Sequence, residues 1–278
     1  MTKTAIYKKY LFYILSTIIV IIWLIPFVIA VLTSFKTMDE ISFGANWFRL
    51  PKKWSLEGYI TAWKNAHIYT YYLNTFLIAA VSTLGALFLS SLGAYALSWY
   101  DFKLRKPILI TFVAGMLIPF QMLLIPVYKF SVNTGLYDTY PGLILFHIAF
   151  QLGFCTFFLR NFMVTIPKSI FEAAKIDGAN DFKIYYSIML PLIKPAIAAL
   201  GILEFTWIWN DYLWALILIQ SDTKKPITLG LTTLQGQWVT SWNVIAAASI
   251  LAAIVPIIVF LMFQKYFIQG LTMGSVKG

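Results

Sequence analysis

The sequence predicts an all-α, polytopic membrane protein, with six transmembrane helices and a cytoplasmic helix–turn–helix loop between the fourth and the fifth. Three observations carry that prediction. Of 278 residues, 60% are apolar and only 12% charged, against about 45–50% and about 25% in a soluble domain. The mean hydropathy is +0.78. Six runs are long and apolar enough to cross a hydrocarbon core of about 30 Å, which takes about 20 helical residues. The whole chain, 1–278, is expected to be a single transmembrane domain.

The first span, about 10–35, is uncharged. It is too long for a signal-peptide core, and no small-residue cleavage site follows, so it reads as uncleaved. The second is about 71–99, where Ser82, Ala86, Ser90 and Ala94 form a small-residue stripe at four-residue spacing. Such a stripe lets another helix approach closely. The third is about 107–128, the fourth 139–159, the fifth 195–219 and the sixth 243–267.

An even number of spans puts both termini on one side. The amino terminus, the 101–106 and 160–194 loops and the carboxyl tail hold 13 Lys and Arg; the other loops hold 8. Short loops decide orientation, so Lys103, Arg105 and Lys106 argue for cytoplasmic termini. Trp and Tyr near the span ends, among them Tyr10, Tyr71, Trp99, Trp238, Trp242 and Tyr266, fit aromatic belts. The net charge of +10 lies in short clusters between uncharged runs, which is membrane topology and not a nucleic-acid stripe. One cysteine, Cys155, excludes an internal disulfide and a multi-cysteine metal site.

The loop at 168–191 has internal order. Ser169 with Glu172 three residues on has the form of a capping box. Gly178 is placed to end the helix that follows, Asn180 or Asp181 to cap a second short one, and Pro191 to close it. Glu172, Ala173, Ala174, Gly178, Ile188, Leu190 and Pro191 meet every position of the EAA motif. The chain thereby resembles the permease subunits of ATP-binding-cassette importers.

That resemblance implies that the loop is a coupling helix docked in a cleft of a cytoplasmic ATPase, through Glu172, Ala173, Ala174, Asp177, Gly178, Ile188, Leu190 and Pro191. Glu172 is either a cap alone or a cap that also pairs with an ATPase arginine. Further segments are similar to the second permease of the maltose type, in the carbohydrate-uptake branch. They are Ser34-Phe35-Lys36 with Glu40-Ile41, Leu50-Pro51 and Trp54; Tyr72-Leu73-Asn74-Thr75; Ile118-Pro119 with Ile125-Pro126; Ile176-Asp177-Gly178-Ala179; Trp209-Asn210-Asp211-Tyr212-Leu213-Trp214; and the tail 270–278. The resemblance implies half of a bacterial importer channel for an oligosaccharide or polyol, working by alternating access. It implies a different second permease, an ATPase homodimer or heterodimer carrying the ATP and Mg, an extracellular substrate-binding protein and surrounding lipid, with no nucleic acid and no cofactor in this chain. The chain has no G-x-x-x-x-G-K-[ST] loop, so hydrolysis belongs to another subunit.

In the fifth span, Glu204, Trp207, Asn210, Asp211 and Trp214 recur at 3–4 residue spacing, and one helical face is expected to line the translocation path or meet the second permease. Alternatively, Asn210 and Asp211 satisfy each other or a broken helix backbone. Two other classes compete. A secondary transporter predicts inverted repeats, and none is visible. A membrane enzyme predicts a cluster of acid–base residues. His67 and His147 lie far apart with no acidic residue near them in sequence, so no enzyme is expected.

Overall fold

In lipid a backbone finds hydrogen-bond partners only within its own helix, and the apolar runs of this chain become helices for that reason. The computed structural model describes residues 3–42, 47–64, 67–234 and 241–273, with side chains over 7–41, 47–64, 67–234 and 241–265. Trp238, the Tyr266 side chain and the end of the tail lie outside the described residues.

In chain order the α-helices are α1 (Lys3–Ser34), α2 (Met38–Ser42), α3 (Glu57–Lys64), α4 (Ile68–Trp99), α5 (Arg105–Met116), α6 (Leu124–Asn133), α7 (Tyr140–Met163), α8 (Lys168–Ile176), α9 (Asp181–Ile184), α10 (Leu190–Trp209), α11 (Leu213–Leu218), α12 (Ile227–Thr232) and α13 (Trp242–Met273). No strand occurs among the described residues. Five segments are long and apolar enough to cross a membrane: Tyr7–Ser34, Ile68–Trp99, Tyr140–Met163, Asp181–Trp209 and Trp242–Lys265. A sixth arises if α5 and the segment Phe120–Asn133 count as one span, bent by 95°.

Two spans differ from expectation. The third is not a straight helix over 107–128. It breaks between Met116 and Phe120, where Pro119 is extended at φ −57, ψ 119. Proline supplies no N–H and disfavours a helical residue before it, so α5 stops there. The fifth does not run over 195–219. It begins at Asp181, ends at Trp209 and resumes as the short α11.

The chain divides into two compact units. One comprises Met1–Tyr69 and Gly230–Ala253. There the Phe35 ring meets Trp54 and Tyr59 at 5.4 and 5.3 Å, and the Ser34 and Tyr59 hydroxyls hydrogen-bond at 2.9 Å. The other comprises Thr70–Leu229 and Ile254–Gly278. Its centre is α4 with α7 and α10. Ser82, Ala86, Ser90 and Ala94 are all fully buried, as the stripe predicts. At Gly85 on this helix, a Cβ would lie 2.5 Å from the end of the Ile148 side chain, so a larger residue there would require that side chain of α7 to shift.

The two ends of α4 are held differently. At its start, Thr75 Oγ1 accepts from the Ile227 N–H at 2.7 Å. Asn74 Nδ2 donates to the carbonyls of Thr223 and Lys225, and Tyr140 Oη donates to Asn74 Oδ1 at 2.8 Å. Tyr71 Oη donates to Asp222 Oδ2. Beside them Asp138, at φ +57, accepts from the N–H groups of Gln220 and Ser221, from the Ser221 hydroxyl and from Lys224. Burial by itself would raise the Asp138 pKa, but these donors outweigh it and hold the carboxyl well below the usual carboxylate range. At the other end of α4, apolar packing dominates: Ala94 and Tyr95 join Leu159, Met163, Phe171, Ile184 and Met189 in one cluster.

Candidate coupling loop and channel-lining site

The loop between α7 and α10 is a docked handle. Helix α8 turns Phe171 and Ala174 inward and its remaining face outward. The Phe171 ring stacks on Trp99 at 5.0 Å and 17° and contacts Tyr95 at 6.3 Å. Such ring pairs contribute about 0.5–1.5 kcal/mol beyond their area. The Lys175 ammonium lies over Phe171 at 4.8 Å and 3.5 Å from Asp181.

The expected capping box is absent. Pro167 is the N-cap, in extended conformation, and no side chain caps the helix. Ser169 is already inside α8, and an N-cap must stand outside helical φ/ψ. Gly178 does end the helix, at φ +77. Its N–H donates to the Lys175 carbonyl, and the Ala179 N–H to that of Ala174, which is the Schellman pair of bonds. Asn180, not Asp181, caps the next helix, its side chain accepting from the Lys183 N–H at 2.8 Å.

Pro191 does not close that helix. The backbone passes from α9 through a π turn, Tyr185–Met189, directly into α10, and Pro191 sits in the first turn of α10. In a regular α-helix, the Pro191 ring would collide with the carbonyl four residues back; the wider turn ends just before it and makes room. The second helix of the loop is therefore the foot of the fifth span.

This geometry separates the eight loop residues. Glu172, Ala173, Asp177, Gly178 and Pro191 are exposed. The Glu172 side chain has no partner among the described residues. Ala174 is buried, and Ile188 and Leu190 pack against the cluster around Met189. Three large apolar residues outside the seven motif positions are also widely open: Ile176 at 86%, Phe182 at 75% and Tyr186 at 65%. The Phe182 and Tyr186 rings stack one turn apart, 6.4 Å between centres and 5° from parallel. Their signal was available as apolar residues among lysines and aspartates.

The five fifth-span residues do not share one face. Glu204 is fully buried, beside the Cys155 side chain of α7. Because α10 ends at Trp209, helical spacing does not carry on to Asp211 and Trp214. Asn210 Nδ2 donates to the Thr206 carbonyl at 2.8 Å, closing α10. Asp211 accepts from the backbone N–H groups of Trp214 and Ala215, opening α11. Both residues thus satisfy a broken helix backbone. Trp207, Asn210, Asp211 and Trp214 nevertheless border one cavity of about 440 Å³ with His147, Phe150 and Gln151 of α7. A neighbouring cavity of about 640 Å³ shares Phe120, Phe150, Gln151 and Trp207 with it and extends along α5.

His147 does have an acidic neighbour, against expectation. Its Nε2 lies 3.6 Å from Asp211 Oδ2, a contact across 64 positions that sequence spacing does not reveal. Trp214 is buried on the rings of Phe146, at 3.9 Å, and Phe150, at 6.0 Å. Among the described residues no three His, Cys, Asp or Glu side chains gather as a metal site.

The comparisons agree with this architecture. Residues 86–273 match the family described as the binding-protein-dependent transport system inner membrane component. A probable ABC transporter permease protein of Pyrococcus horikoshii is 38% identical over 260 residues, covering 92% of this chain and 94% of its own. The arabinooligosaccharides transport system permease protein AraQ of Bacillus subtilis is 34% identical, covering 93% and 92%. A chain of a bacterial ABC transporter involved in the import of the acidic polysaccharide alginate shares the fold, with a TM-score of 0.85 at 24% identity over 96% of this chain and 99% of that one. The family is one of transport permeases and not of enzymes. This multi-pass membrane chain belongs to the binding-protein-dependent transport system inner membrane components.

Proposed function

We propose that the whole 278-residue chain acts as one permease domain, half of the channel of a carbohydrate importer, with an oligosaccharide or polyol as its cargo. A second, different permease completes the channel, an extracellular binding protein delivers the sugar, and a cytoplasmic ATPase dimer holds the ATP and Mg. Both termini and the α8 loop lie in the cytoplasm of a bacterial cell.

The observation that carries this reading is the handle. Helix α8 is fastened to α4 and α7 through Phe171 and Ala174, and its far face presents Glu172, Ala173, Ile176 and Asp177 to a partner. Ile188, Leu190 and Pro191 join that face to α10 without a flexible joint, since α9, the π turn and α10 form one run from Asp181 to Trp209. Movement of an ATPase against α8 then tilts the fifth span. Trp207, Asn210, Asp211 and Trp214 border the path at the far end of that span; buried Glu204 is not part of the cavity lining. The sugar assignment is supported by the aromatic and amide lining and by the named relatives.

The test is expression of the complete transporter with Glu172→Lys. The expected result is an intact permease pair that loses its ATPase on purification and no longer accumulates sugar. Retention of ATPase and uptake at the unaltered level would sink the docking role.

A further inference from the structure

The residues spent on helix ends leave a different set to meet the cargo. Asp211 is engaged with two backbone N–H groups, Asn210 with one carbonyl, and Trp214 is buried among phenylalanines. On α7, His147, Phe150, Gln151 and Phe154 fall at i, i+3, i+4 and i+7, so they share one face. His147 and Gln151 form a polar ridge, and Phe150 and Phe154 an aromatic one beside it.

His147 is 4% exposed; its Nε2 makes no hydrogen bond and lies 3.6 Å from Asp211 Oδ2. Gln151 is 7% exposed and lines both cavities. Across from them stands Trp207, half-exposed, its ring 5.9 Å from Phe154. The two cavities, about 440 and 640 Å³, each fall within the span of about 300–1,000 Å³ usual for ligand pockets. Among the described residues neither lining contains a Lys or Arg, and Asp211 is the one carboxylate.

We infer that the cleft between α7, the break after α5 and the end of α10 is a subsite for one ring of an uncharged saccharide, with Gln151 and His147 taking its hydroxyls and Trp207 and Phe154 its C–H face. This rests on the reading of the chain as a sugar permease and narrows it. Lacking a cation, the cleft has nothing to pair with a uronate or a phosphate, so acidic oligosaccharides and glycerol phosphates are poor cargo here. The polar ridge selects among neutral sugars by which hydroxyls reach it.

The test is uptake by cells carrying the complete transporter with its own binding protein. The probes are arabinotriose, raffinose, maltotriose and diacetylchitobiose, with trigalacturonate and glycerol phosphate as the charged pair. The unaltered transporter is expected to take up at least one neutral probe and neither charged one. Gln151→Leu and Trp207→Ala are expected to change the ratio of maximal rates between two neutral sugars at least fivefold, with the amount of assembled complex unchanged. Trp207→Ala alone suffices if Gln151→Leu fails to assemble, since Trp207 is half-exposed. Equal slowing of all sugars, or no slowing, would overturn the subsite while leaving sugar import standing. Uptake of a charged probe would overturn the neutral selectivity, and uptake of none of the six would overturn both the subsite and the sugar reading.

Discussion

The two ends of α4 are fastened by opposite means. At the Tyr71–Thr75 end, hydrogen bonds tie α4, the Asp138 turn and the 220–227 segment together through atoms that each have one geometry. At the Tyr95–Trp99 end, rings of Tyr95, Trp99, Phe171 and Tyr185 lie on one another, with the hydroxyl pair Ser91–Tyr185 at 2.7 Å and a longer bond, 3.4 Å, from Tyr95 to the Asp181 carbonyl. Directional bonds resist sliding, whereas stacked rings tolerate small shifts at little cost. In the function proposed above, the handle that moves with an ATPase is mounted on the end that can yield.

The largest effect is expected at the rigid end. Asp138→Ala removes the acceptor of four donors, and hydrogen bonds to a charged group contribute about 1.5–3 kcal/mol each, so we expect a loss of about 3 kcal/mol, read as a lower unfolding midpoint in detergent. The same carboxylate gives a pH signature. Its folded pKa is depressed, so its contribution is complete above the unfolded value of about 4 and disappears as pH falls through the folded one. The advantage of the unaltered protein over Asp138→Asn should be constant from pH 7 to 5 and shrink below pH 4. An advantage that grows on acidification would refute this assignment.

At the yielding end the effects are smaller on stability and larger on coupling. Phe171→Ala is expected to cost about 2 kcal/mol, below the usual about 3–5 kcal/mol for a core phenylalanine because one face of α8 is open, and to uncouple ATP hydrolysis from uptake. Asn180→Ala removes one cap and should cost about 1 kcal/mol, with transport slowed but present. If Asn180→Ala proved worse than Asp138→Ala, the contrast between the two ends would be reversed.

Much of this was legible in the sequence. Hydropathy located the spans, the Ser82–Ala94 stripe gave the buried face of α4, and Gly178 and Asn180 gave the turn between the two loop helices. What stayed hidden has physical causes. Ser169 matches a capping pattern, but Pro167 sets the start of α8 two residues earlier. Pro191 was read as a stop because proline usually breaks helices, and a π turn is invisible in residue type. Helical spacing does not hold past Trp209, where the chain leaves the helix, and Glu204 is buried outside the cavity lining that the other four residues share. His147 and Gln151 were passed over because their role depends on contacts between spans, which periodicity along one span does not encode.

The central claim is that the exposed face of α8 meets the ATPase. The native Cys155 is buried, so Ile176→Cys gives one reactive thiol at a widely open position of that face. A benzophenone maleimide attached there and irradiated in the assembled transporter should cross-link this chain to the ATPase subunit, and the yield should fall when ATPase is omitted or Glu172→Lys is added. Cross-linking only to lipid or to the second permease, in a complex that still contains the ATPase, would contradict the account.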